Sequence, residues 1–182
     1  MAPENVLLAG LVVLTSAAAV HDSRSGLIPN RLLAWGAGLG LAAHLVVGGW
    51  SGGPSGVGAS ACAAVLGLFA CALVPLLLYR AGGIGGGDVK LLAVIGLLLG
   101  PMLGLEAELE AFVALLLYAP ARLAYEGRLL RALANAMALA ANPLLPKAKR
   151  REVPPELMTS FRFGPAIFLG SLLVALMHWR VA

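Results

Sequence analysis

Charge of either sign is scarce in this 182-residue sequence: 12% of its residues are charged, and only two of those are aspartates, Asp22 and Asp88. Beside 60% hydrophobic residues and a mean hydropathy of +0.90, that scarcity excludes an ordinary soluble globular domain. Cysteine is nearly as rare. Cys62 and Cys71 lie in one apolar stretch, and at about 100° per residue they point to opposite sides of a helix and cannot bridge each other. The sequence has no CxxC pair and no His/Cys cluster at metal-ligand spacing, so neither a metal nor any other cofactor is expected.

Apolar sequence is what the chain has in abundance. A bilayer crossing takes roughly 20 apolar residues, and runs at 4–21, 31–49, 57–79, 89–105, 109–125 and 161–179 predict an all-α polytopic membrane protein of six transmembrane helices, with the lipid bilayer as its first partner. Gly100-Pro101 offers the fourth run an early stop or a kink. Pro75 and Pro120 fall inside runs, where membrane helices tolerate them. Gly36 and Gly40 form a GxxxG, and Gly58, Cys62 and Gly67 add small residues that allow close helix contacts. Residues 126–160 form the long loop. Within it, Arg128 to Ala141 mixes arginine with leucine and alanine, which predicts a helix lying in the membrane interface. The basic cluster Lys147 to Arg151 is expected to anchor that loop to anionic headgroups.

The basic residues set the orientation. Arg24, Arg31, Arg80, Lys90, Arg122, Arg128, Arg131, Lys147, Lys149, Arg150, Arg151 and Arg162 follow the odd-numbered runs, which leaves only Arg180 of the thirteen on the other side. The loop near 50–56 carries no basic residue, and the one expected near 106–110 holds Glu106, Glu108 and Glu110. By the positive-inside rule both termini face outward and both aspartates face the cytoplasm, in the inner (plasma) membrane. The same distribution makes the net charge of +4 a topology signal and not a nucleic-acid footprint. Ala17-Ala18-Ala19 imitates a signal-peptide cleavage site, but the preceding stretch has Glu4 and no Lys or Arg, so it reads as the first membrane helix.

A charge at a membrane boundary is costly, and each aspartate sits where an apolar run meets a short polar loop, the second in Gly82-Gly83-Ile84-Gly85-Gly86-Gly87-Asp88. This loop lacks the Gly-Lys-Ser/Thr of a Walker loop, and Asp88 stands where a dinucleotide loop needs its third glycine. Its glycines instead leave room for another backbone beside the acid. Two carboxylates that meet could hydrolyse a peptide, the ionised one activating water and the protonated one supplying a proton to the amide. Helix dipoles predict Asp22, at the end of the first helix, as the protonated partner, and Asp88, at the start of the fourth, as the base. Lys90 reads as a snorkelling side chain outside the catalytic set, and His44 and His178 as lone residues near the outer face. The reading from another class makes Asp22 and Asp88 the ion or proton site of a small transporter or channel subunit. Such acids usually lie near the bilayer midplane, often between inverted repeats.

Gly85-Gly86-Gly87-Asp88-Val89-Lys90-Leu91 resembles the GxGD signature of the prepilin peptidases, membrane aspartyl proteases that remove the leader of type IV pilin precursors. Asp22 through Ile28-Pro29-Asn30 resembles the loop carrying that family's first aspartate, and Phe163-Gly164-Pro165 is similar to the segment opening its last helix. The resemblance implies a single integral-membrane peptidase domain over 1–182, with Asp22 and Asp88 catalytic. Gly85, Gly87, Pro29, Asn30, Gly164 and Pro165 would support them, and a prepilin or pseudopilin would be the substrate. The larger bacterial members carry a cysteine-bearing insertion between their first two helices, associated with zinc and with methylation of the cleaved pilin. Here that connection is short and has no cysteine, so the chain is similar to the peptidase-only form that accompanies Flp pili. Archaeal preflagellin peptidases resemble it in size and layout.

Overall fold

The computed structural model describes residues 3–141 and 162–179, and among these every regular element is a helix. They are α1 (Pro3–Ser25), α2 (Asn30–Arg80), α3 (Gly86–Leu99), α4 (Pro101–Tyr125), α5 (Leu129–Ala141) and α6 (Gly164–His178). Among the described residues three stretches are long and apolar enough to cross a membrane: Asn5–Ser25, Asn30–Trp50 and Gly52–Arg80. Gly164–His178 is a shorter apolar helix. The chain divides into two compact units, one of residues up to Ala114 together with those from Arg162, the other Leu115–Phe161.

The second and third apolar runs are the two arms of α2, which loses helical backbone only at Gly52 and Gly53. The expected loop at 50–56 is therefore a break of two residues. The fourth run ends at Leu99, short of 105, because Gly100 takes a left-handed φ of 76° and Pro101 begins the next helix. A residue with a Cβ is disfavoured at that φ, and a proline is suited to the first helical turn. The acidic loop expected at 106–110 is thus replaced by helix: Glu106, Glu108 and Glu110 all lie in α4. α3 is only 14 residues long, about 21 Å at 1.5 Å per residue, shorter than the run of 89–105 read from hydropathy.

The core of the first unit is built on helical stripes. In α1, Leu8, Leu11, Thr15, Ala18 and Asp22 recur at alternating steps of three and four and are all buried, which makes Asp22 the last member of the core-facing stripe. In α4 the stripe is Gly104, Ala107, Glu108 and Ala111. Glu108, only 4% exposed, lies on the stripe that faces the buried Cys71 of α2, whose Sγ would be 2.8 Å from a Cβ on Gly104. His44, expected to be a lone residue, is also buried, with its Nε2 3.1 Å from the Leu98 carbonyl oxygen. His178 pairs with Glu106 at 2.9 Å. The cysteines meet expectation, Cys62 exposed, Cys71 buried and both free.

Small residues set how closely the helices approach. Gly36 and Gly40 of the first α2 arm face Leu14 of α1 and Val94, Leu97 and Leu98 of α3. Gly67 of the second arm meets Gly96 of α3 backbone to backbone, so that a Cβ on either would run into the other's carbonyl. In the second unit, Glu126 pairs with Arg122 at 3.0 Å and Arg128 at 3.5 Å. Along α5, Leu130, Leu133 and Met137 recur at helical spacing and are exposed. The Lys147 to Arg151 cluster and Arg180 lie outside the described residues.

The backbone contact at Gly96 yields a direct test. Gly96→Ala should destabilise the protein by about 1–3 kcal/mol, the usual cost of overpacking a tight contact. Gly58→Ala, where nothing lies within 4 Å of the added Cβ, should be neutral. Thermal unfolding of the two variants in the same detergent checks the difference.

Candidate active site

Asp22 lies in the last turn of α1, one residue type removed from the leucines and alanines that precede it on the same stripe. Burial of a carboxyl group is costly unless it is hydrogen-bonded, and here the bond comes from another helix. The backbone N–H of Gly164, in the first turn of α6, donates to Asp22 Oδ2 at 2.9 Å. Such an N–H has no partner within its own helix, so the bond satisfies two groups at once. A Cβ at Gly164 would lie 2.8 Å from the Asp22 Cβ and Oδ2. Any larger residue would therefore push the two helices apart. Pro165 follows within that first turn, where its missing N–H costs nothing.

Asp88 occupies the first turn of α3. Its Oδ2 accepts the backbone N–H of Gly85 at 3.1 Å, and its own N–H donates to the Gly85 carbonyl at 3.1 Å. This reciprocal pair fixes both the start of α3 and the direction of the carboxyl. Partial burial pushes Asp88 up to about 6; the Gly85 N–H opposes that shift without cancelling it, and the nearby charge of Asp22 adds to it. The helix-dipole expectation had Asp88 as the more readily ionised acid. At Asp88 lost hydration outweighs the dipole, so this carboxyl keeps its proton to a higher pH than an ordinary aspartate.

The connection after α1 and the glycine loop face each other. Gly26 takes a φ of 69°, and its N–H bonds the Asp22 carbonyl at 2.8 Å, which ends the helix with an αL cap. The chain then runs through Leu27 and Ile28 to Pro29, whose extended backbone precedes α2. The Pro29 carbonyl accepts the N–H groups of Leu32 and Leu33. Ile28 lies beneath the glycine loop, 3.4 Å from where a Cβ on Gly87 would stand. Between the two segments is a cavity of about 340 Å³ lined by Asp22, Asn30, Gly85, Gly87, Asp88 and Lys90 among others. Two carboxylates and the glycine backbone thus share one space, where an extended chain could lie against main chain unobstructed by side chains.

Of the residues singled out in the sequence, Asp22, Asp88, Gly85, Gly87 and Asn30 line this cavity. Gly164 touches Asp22 from behind, whereas Pro29 and Pro165 act on the backbone around it. Two contacts went unforeseen. The Lys90 ammonium, expected to snorkel to the interface, donates to Asn30 Oδ1 at 3.0 Å and ties α3 to the start of α2. Arg162 reaches back over 140 positions to the Asp22 carbonyl. Lys90 stands two residues after the acid and Arg162 two before Gly164, but nothing in the sequence pairs either with its partner. Among the described residues no group of three or more His, Cys, Asp or Glu side chains could hold a metal ion.

No curated protein and no solved structure matches the chain in a direct comparison. A family model does match, over residues 8–120, and that segment contains both aspartates, the Pro29-Asn30 turn and the glycine loop. Since the match spans more than half of the sequence and encloses the cavity built around Asp22 and Asp88, the chain belongs to the type IV leader peptidase family.

Proposed function

We propose that this protein is a membrane-embedded aspartyl endopeptidase that removes the leader of type IV, Flp-like prepilins or pseudopilins at the cytoplasmic membrane face, with Asp22 and Asp88 as its catalytic pair. The observation that carries this reading is the shared cavity: both carboxyl groups line it, and Gly85, Gly86 and Gly87 give it a stretch of bare backbone beside Asp88. In this mechanism Asp22, held by Gly164, acts as the base that takes a proton from water as the water attacks the scissile carbonyl carbon. Asp88, which keeps its proton to about pH 6, passes it to the amide nitrogen as the C–N bond breaks. Gly85 and Gly87 leave space for the substrate backbone, Pro29 and Asn30 hold the facing turn, and Gly164 and Pro165 present the amide that orients Asp22. Family membership supports the protease class and a prepilin substrate. The short connection without cysteine between α1 and α2 supports cleavage without methylation.

The same proposal covers the membrane arrangement. The chain acts as one integral-membrane peptidase domain in the inner membrane, with α1, the two arms of α2, α3, α4 and α6 as its six crossing runs. The exposed apolar stripe of α5 rests in the cytoplasmic interface, and both termini are outside. The distribution of basic residues supports this orientation. The alternative, an ion or proton site, fits less well because both acids lie at helix ends beside a glycine-lined space.

Three outcomes test the proposal. Asp22→Asn and Asp88→Asn should each reduce processing of a type IV prepilin by at least about a thousandfold, since an amide cannot replace an acid that moves a proton, while membrane insertion is unchanged. Processing by either variant near the normal rate would exclude the two-aspartate mechanism. The descending limb of kcat/KM against pH should have its midpoint near 6, the pH around which Asp88 loses its proton. Below that value Asp88 carries the proton the leaving amide requires, and above it that proton is lost; a descending limb far from pH 6 would exclude Asp88 as the proton donor. A thiol reagent that cannot cross membranes should label Ser51→Cys from the periplasmic side of intact cells. Labelling from the cytoplasmic side alone would invert the topology.

A further inference from the structure

Asp22 is held at two points by one tripeptide, and only one of those contacts involves its carboxyl. The Gly164 N–H takes Oδ2 at 2.9 Å, and the Arg162 Nη1 donates to the Asp22 backbone carbonyl at 2.8 Å. Phe163, between them, is 2% exposed and packs its ring against Phe112, centroids 5.2 Å apart. The aromatic ring anchors the tripeptide in the core, so its two donors have little freedom to drift from their acceptors. The carbonyl that Arg162 engages also accepts the Gly26 N–H that ends α1, so the arginine acts at the point where the helix terminates. A cation there also faces the negative end of the helix dipole.

Neither Arg162 nor α6 lies in the matched family segment, which ends at residue 120. We propose that Arg162 is a positioning residue for the peptidase reaction: by bonding the Asp22 carbonyl it fixes the last turn of α1, and with it the direction of the Asp22 carboxyl toward Asp88 and the substrate. This inference rests on the peptidase reading above. Arg162 does not line the cavity as described, so it acts through Asp22 and not on the substrate. A displaced general base loses rate steeply with distance, whereas binding of a long substrate depends little on one side chain behind it. The bond is a single N–H to a carbonyl, not a bidentate pair, so a lysine ammonium of similar reach can replace it.

The test uses the full-length protein in liposomes with a purified type IV prepilin, comparing the unsubstituted enzyme, Asp22→Asn, Arg162→Gln and Arg162→Lys. Arg162→Gln should lower kcat about tenfold or more with KM within about twofold and an unchanged thermal unfolding midpoint. Arg162→Lys should recover at least half of the lost rate. The inference is overturned if Arg162→Gln keeps its kcat, raises KM instead, or loses rate only in proportion to lost folded protein. It is equally overturned if the lysine variant is as slow as the glutamine variant. Should the unsubstituted enzyme leave the prepilin as intact as Asp22→Asn does, the peptidase reading itself fails and this inference with it. A normal rate in Arg162→Gln alongside an inactive Asp22→Asn removes only the role of Arg162.

Discussion

The contact between the Asp22 carboxyl and the first turn of α6 is the constraint on which the rest of the first unit turns. A buried carboxyl without a donor is costly, and the donor supplied is an amide that α6 cannot use internally. Satisfying both groups requires α1 and α6 to meet end to start, and the closeness of that meeting requires a glycine at 164. A polar contact at the boundary thus sets the register of two otherwise apolar helices. Their apolar stripes alone could slide by a turn at small cost, since leucine and alanine contacts are not directional.

The second acid depends on a different force. α3 lies against both arms of α2, with Gly36 and Gly40 on one side and Gly67 on the other. In a bilayer, helix association comes from close van der Waals packing and not from exclusion of water. The contact between Gly67 and Gly96 therefore decides how near α3 can come. The position of α3 places its first turn, and Asp88 with it, opposite the turn that follows α1. Lys90 to Asn30 then joins the two segments by a polar bond where the apolar packing ends. The two acids reach one cavity because one helix is positioned by a hydrogen bond and the other by missing side chains.

Burial also distributes the chemistry. The dipole at the start of α3 favours a charged Asp88 by a fraction of a kcal/mol to about 1 kcal/mol, while removal of water and the neighbouring acid disfavour it more, and the outcome is a carboxyl pushed up to about 6. A pair of carboxyl groups needs such asymmetry to act as acid and base together. For Asp88 the environment responsible is the partly buried first turn of α3.

Much was legible in the sequence because it depends on composition and short spacing. Apolar runs of sufficient length require a helical membrane protein, since backbone groups in hydrocarbon must be satisfied within the helix. The identity of the site loops followed from glycines and a proline adjacent to the two aspartates. The α3 to α4 break was misplaced because hydropathy registers polarity and not backbone conformation; one left-handed glycine followed by proline ended the helix while the sequence around it stayed apolar. Glu108 looked like a loop residue because a lone carboxylate is polar on any scale, and only its place on a stripe with Gly104, Ala107 and Ala111, facing Cys71, put it inside. Local sequence by itself determined the helices, the turns and which side chains could do acid–base chemistry. The tertiary structure alone decided that Asp22 meets Gly164 and Arg162, that Lys90 meets Asn30, and that partial burial raises the Asp88 carboxyl. Those outcomes depend on which distant groups share a space and how much water they exclude from it, and no local pattern encodes either.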